Sequence, residues 1–108
     1  MINFLLLQLF CLISLSTMAQ DNLHIMKMES EMLRLISTND KDAFMEVTEA
    51  LKAECQKQGN ERLFYVTWGN QSTYEATHQN YMMAEEIADK IADYAEGQNS
   101  YWGNYIAL

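Results

Sequence analysis

The chain has no proline, only 4 glycines and only 2 cysteines in 108 residues. Without proline or glycine-rich stretches it is not collagen-like, a flexible linker or a low-complexity chain. Positive charge is also scarce: 7 Lys and Arg stand against 15 Asp and Glu, a formal net charge of −8. The basic footprint of a nucleic-acid binder is therefore missing. No long run of one sign occurs either, so the acidity is not that of a charged tail. One cysteine, Cys11, lies in an apolar leader, and Cys55 is the single thiol after it, with no internal disulfide partner. The fold must hold by packing. Motifs of known chemistry are missing as well, with no GxSxG, phosphate loop, HExxH or CxxC. These absences describe a non-catalytic chain with no cofactor and no metal centre.

What is present begins with an address. Residues 4–15 read FLLLQLFCLISL, apolar except for Gln8 and Ser14. The run is shorter than the roughly 20 residues of a membrane span and fits the apolar core of a secretory signal peptide. Thr17 and Ala19 supply small residues before a cleavage point between Ala19 and Gln20. Met1-Ile2-Asn3 carries no Lys or Arg, so an uncleaved anchor helix is the rival reading. The expectation is export to the periplasm or beyond, with no membrane span left after cleavage.

Four helices follow from apolar periodicity. The first is expected over Leu23–Ser37, with Ile25, Met28, Met32, Leu35 and Ile36 on one stripe, widened by Met26 and Leu33. Asp21 or Asn22 would cap it. The second, 41–58, aligns Phe44, Val47, Leu51 and Cys55 between an Asp40 cap and a closing Gly59. The third, 61–77, is capped by Asn60 and is apolar nearly all round in its first turns, which implies burial on two sides. The fourth, 81–96, sets Ala84, Ile87, Ala88, Ile91, Ala92 and Ala95 against Glu85, Glu86, Asp89, Lys90 and Asp93, and Gly97 ends it. A fifth begins at Tyr101 after Asn99 or Ser100. The fold class is all-α: a signal peptide over 1–19, an opening helix and linker over 20–40, and a helical-repeat region over 41–108 whose last repeat is incomplete.

Side chains with chemical potential mostly have a packing explanation. His24, Met28 and Met32, with Met26 nearby, offer soft ligands for copper(I), but they share the stripe the helix needs for its core, where methionine is a common filler. Cys55 lies near Lys52 and Lys57, which would favour a thiolate, yet its place beside Leu51 makes a buried, inert thiol the preferred reading. His78 reads as a surface polar residue in a turn. Glu85, Glu86, Asp89 and Asp93 form a solvated face rather than an acid–base pair. Aromatics gather beyond Gly59, from Phe64 to Tyr105, which suggests an inter-helix core with some rings left for partners.

Tyr65-x-x-Trp68-Gly69 on one helix and Ala84-x-x-x-Ala88 on the next resemble the tetratricopeptide repeat. Tyr101-Trp102-Gly103-x-Tyr105 resembles the start of another unit. No proline closes the unit, and the Gly69–Ala84 spacing is longer than usual in that repeat. Over a longer stretch, Phe44, Leu51-Lys52, Cys55, Gly59, Phe64-Tyr65, Trp68-x-Asn70, Tyr74, Ala84, Ala88, Tyr94-Ala95 and Tyr101-Trp102-Gly103-x-Tyr105-x-Ala107 follow a leader. Together they resemble the exported N-terminal helical-repeat region of Bacteroidetes-type sensor histidine kinases and related regulators. The resemblance implies stacked antiparallel helical hairpins, placed ahead of a membrane helix and a cytoplasmic signalling part that the matched stretch does not include.

The leading functional expectation is an exported helical-repeat interaction or sensor module, the N-terminal part of a two-component sensor. The alternative is a small free-standing secreted helical binding protein, and a third reading is a periplasmic copper-binding protein. The expected partner is a protein or a second copy, met through the edge formed by Tyr101, Trp102, Tyr105, Ile106 and Leu108. Residues 101–108 carry no charged side chain, and an uncovered apolar edge marks an interaction site. N-terminal analysis of the protein from the envelope fraction should find Gln20 first; a membrane-held form retaining Met1 would establish the anchor instead.

Overall fold

Residues 20–100 are described by the computed structural model. The leader over 1–19 and the expected fifth helix over 101–108 lie outside the described residues. The described part is all-helical, with no strand: α1 (20–35), α2 (Lys41–Gln58), α3 (Glu61–Thr77) and α4 (Tyr81–Gly97).

Local sequence fixes where the helices start and stop. Asp40 Oδ1 accepts from the Ala43 N–H at 3.1 Å, and Asn60 Oδ1 accepts from the Leu63 N–H at 3.2 Å. Each supplies a side-chain oxygen to a backbone donor that the first helical turn leaves unpaired. The helix ends share a second device. Gly59, Gln79 and Asn99 take positive φ values of 71°, 67° and 53°. The residue after each closes the helix end: Asn60 N–H to Cys55 O at 2.8 Å, Asn80 N–H to Glu75 O at 2.8 Å and Ser100 N–H to Ala95 O at 2.9 Å. These bonds satisfy carbonyls that have no partner within the helix. Positions 59, 79 and 99 are evenly spaced, so helix plus turn recurs as a step of constant length.

α3 is the element that the others share. It packs against α2 on one side and α4 on the other. Both pairs are antiparallel: Lys41 pairs with Glu75 at 2.6 Å while Lys52 sits over the Trp68 ring, and Ser72 donates to Ala84 O while Tyr94 meets Trp68. α1 reaches α3 in the parallel sense, through Asn70 Nδ2 to Met32 Sδ at 3.7 Å and Tyr74 Oη to Thr38 O at 3.1 Å. Accordingly α3 buries Leu63, Phe64, Tyr65, Thr67, Gln71, Tyr74 and Glu75 over a broad arc, consistent with the burial on two sides expected from its sequence.

The α4 pattern is also as expected. Ile91 and Ala95 are buried, Ala84, Ile87, Ala88 and Ala92 are half-buried, and the acidic face is exposed. Three expectations need correction. The stripe on α1 is narrower: Ile25, Met32 and Leu35 are buried, but Met26 and Leu33 are 62% and 55% exposed because they lie off the side that faces α3. Asp21 and Asn22 are already helical, so neither caps α1, and the helix stops at residue 35. Gly97 is the last helical residue of α4, and Asn99 takes the left-handed position in its place.

A positive φ strains any residue with a Cβ, by about 1–2 kcal/mol in the left-handed region. Gly59 has open space around it, so only its conformation matters there. Gln79→Gly should therefore raise the unfolding free energy by about 0.5–1 kcal/mol, and Gly59→Ala should lower it by about 1 kcal/mol. Denaturant titration checks both signs.

Candidate functional site

Thr48, Thr67, Gln71 and Glu75 are buried polar residues, and each is satisfied. Thr48 Oγ1 donates to Phe44 O at 2.8 Å, and Thr67 Oγ1 donates to Leu63 O at 2.7 Å. Gln71 Nε2 donates to Thr48 Oγ1 at 2.8 Å and to Glu49 Oε1 at 2.9 Å. Glu75 accepts from Lys41 and from Asn80 Nδ2. No buried side-chain polar atom among the described residues lacks a partner. The interior polar groups therefore stabilise the helix contacts, since an unmade buried bond costs about 1–3 kcal/mol.

Among the described residues a concavity lies where the end of α2, the start of α3 and the end of α4 meet. It has a volume of about 450 Å³ and is lined by Cys55, Gln56, Gly59, Asn60, Glu61, Phe64, Tyr65, Tyr94 and Gln98. Aromatic rings form its inner wall. Phe64 meets Tyr65 edge-on at 5.1 Å between centroids, and Tyr94 meets Trp68 edge-on at 5.5 Å. Lys52 Nζ stands 4.6 Å from the Trp68 ring centre, a cation–π contact that covers the outer end of the cluster. Tyr94 remains 39% exposed. Ser100, itself buried, hydrogen-bonds to Glu61 beside this hollow.

The chemistry of the hollow is subdued. Burial, with Glu29 and Glu54 adding to it, pushes the Cys55 thiol up to about 11, against a smaller opposing effect of Arg62. Burial also raises Tyr65, opposed by its hydrogen bond with Ser100. The preferred reading of Cys55 as a buried thiol holds: the side chain is inaccessible on the α2 stripe, and no lysine lowers it.

The other sequence candidates are dispersed. His24 is exposed, Met28 half-buried and Met32 buried against Asn70. Among the described residues no group of three or more His, Cys, Asp or Glu side chains converges. Glu85, Glu86, Asp89 and Asp93 lie on the exposed face of α4. Tyr101, Trp102, Tyr105, Ile106 and Leu108, the expected partner edge, lie outside the described residues. Further apolar exposure on α4 comes from Tyr81, Met82 and Met83, at 66%, 86% and 37%.

His78 departs from its reading as a surface polar residue. It is half-buried, and its ring stacks on Tyr74 at 4.0 Å. Its Nδ1 lies 2.8 Å from Tyr74 O, and its Nε2 lies 2.6 Å from Thr38 O. Thr38 comes from a turn forty residues earlier, which local sequence around His78 cannot reveal. For Thr48 a signal did exist: it lies four residues after Phe44 and three before Leu51, on the same buried stripe.

No family model matches the chain, and neither the curated proteins nor the solved structures yield a match. Among the described residues no helix is long and apolar enough to cross a membrane.

The raised Cys55 thiol gives a test of the hollow's packing. Alkylation of the folded protein at pH 8 should run about a hundredfold slower than in the unfolded chain, from loss of thiolate and of access. Comparable rates would mean that Cys55 is open to solvent.

Proposed function

We propose that the chain is a non-catalytic, exported helical-repeat module that binds a protein partner or a second copy of itself. The observation that carries this reading is the constant helix-plus-turn step, with matching left-handed closures at Gly59, Gln79 and Asn99. α1 lies parallel to α3 through Met32–Asn70 and Thr38–Tyr74. In stacked helical hairpins the first helices of successive pairs meet in that way, and each unit buries its face against the next. Here α1–α2 is one pair and α3–α4 the next, in a tetratricopeptide-like stack.

The binding edge in this reading is the segment after Ser100. Tyr101, Trp102, Tyr105, Ile106 and Leu108 supply apolar side chains with no charge to oppose their burial, and aromatic residues carry much of the energy of protein interfaces. The wider role is the N-terminal interaction or sensing part of a two-component sensor. Its scarcity of basic residues speaks against nucleic acid as partner.

Sedimentation over a wide concentration range tests the edge. The mature chain should associate, and removal of residues 101–108 should abolish association while α-helical content persists. A mature chain that stays monomeric throughout, with no partner recovered through those residues, would contradict the proposal.

A further inference from the structure

Both ring nitrogens of His78 face backbone carbonyl oxygens: Nδ1 that of Tyr74 and Nε2 that of Thr38. A carbonyl only accepts. A neutral imidazole has one N–H, and its other nitrogen presents a lone pair; the imidazolium has two N–H donors. Only the charged ring therefore makes both bonds. With the neutral ring, one carbonyl faces a lone pair at hydrogen-bond distance, and that contact is repulsive.

The surroundings reinforce the arrangement. His78 is the residue that ends α3, where the helix dipole places partial negative charge and favours a cation. The ring stacks on Tyr74, and Tyr74 stacks on Phe44 at 4.4 Å. Tyr74 Oη also donates to Thr38 O. The charged groups acting on the Tyr74 stack are Asp40, Lys41 and Asp42 at the start of α2, and Glu75 of α3. Lys41 is already paired with Glu75, and Asp40 caps α2 through the Ala43 N–H. α1 contributes the helix end that leads into Thr38, and α4 begins with the uncharged Asn80 and Tyr81.

We propose that His78 is a protonation-dependent clasp: the charged ring ties the α1–α2 turn to the end of α3, and loss of its proton releases one of the two ties. The neutral ring either drops its bond to Thr38 O, leaving Tyr74 Oη to hold the turn, or keeps it and sets the bare Nδ1 lone pair against Tyr74 O. The folded chain holds the charged ring by two bonds and the neutral ring by one, so folding is favoured where the ring is charged. Stability therefore falls as rising pH takes the second proton from the ring.

The test uses the full chain and His78→Phe, which keeps a ring against Tyr74 but removes both donors. The wild-type folding equilibrium constant should fall about tenfold, relative to His78→Phe, between pH 5.5 and 8.5. Every other charged group is common to both proteins, so the difference isolates His78. A second measurement needs no variant. Amide exchange at Ile36 and Thr38, corrected for intrinsic pH dependence, should lose protection above about pH 7 while the middle of α3 keeps its own. Parallel stability profiles for the two proteins, or turn protection that does not change with pH, would overturn the clasp.

Discussion

The structure depends on the burial of α3. A helix with Leu63, Phe64, Tyr65, Thr67, Gln71, Tyr74 and Glu75 all removed from water keeps only a narrow exposed strip, through Arg62, Thr73 and Thr77, and it is stable only while its neighbours remain in place. α2 covers it through Phe44, Leu51 and Thr48, α4 through Ile91 and Ala95, and α1 through Met32 and the Thr38 turn. Burial of each large apolar side chain contributes about 1.5–3 kcal/mol. The same burial obliges Thr67, Gln71 and Glu75 to find partners: Thr67 bonds Leu63 O within α3, while Gln71 with Thr48 and Glu49, and Glu75 with Lys41, lock the register of α2 against α3.

That constraint also explains the division of charge. Acidic side chains concentrate on the exposed face of α4, which borders no other described helix on that side, while Glu75 on α3 is accepted inside only because Lys41 and Asn80 meet it. The aromatic rings follow the same logic. Phe44, Tyr74 and His78 stack where α1, α2 and α3 meet, and Phe64, Tyr65, Trp68 and Tyr94 gather where α2, α3 and α4 meet. The second cluster leaves a hollow at its edge, beside the bond between Ser100 and Glu61.

The helices themselves were legible in the sequence because their signals are local. Asp40 and Asn60 cap where short polar side chains precede apolar periodicity, and Gly59 closes α2 where only a turn needs it. The α4 stripe read correctly for the same reason, whereas on α2 the buried place expected of Val47 is taken by Thr48. Met26 and Leu33 misled because apolar character alone does not say which neighbours a helix has, and α1 meets α3 on a narrow front. Asn99 rather than Gly97 closes α4, because the helix runs on to Gly97 and the left-handed turn that lets Ser100 N–H reach Ala95 O falls at Asn99. The contact of His78 Nε2 with Thr38 O and the Gln71–Thr48 bond join positions far apart in the chain, and no local pattern announces them. The site is less legible than the fold, since its chemistry is apolar and the residues expected to form the edge lie beyond Ser100.

Native-state hydrogen exchange tests the dependence on α3 most directly. If α3 is the shared support, its central amides, from Thr67 to Gln71, exchange only through global unfolding and carry the highest protection, while α1 and the start of α4 open more readily. Amides of α3 that exchange as fast as those of α1 or α4, or through an opening that leaves α2 and α4 protected, would contradict the account.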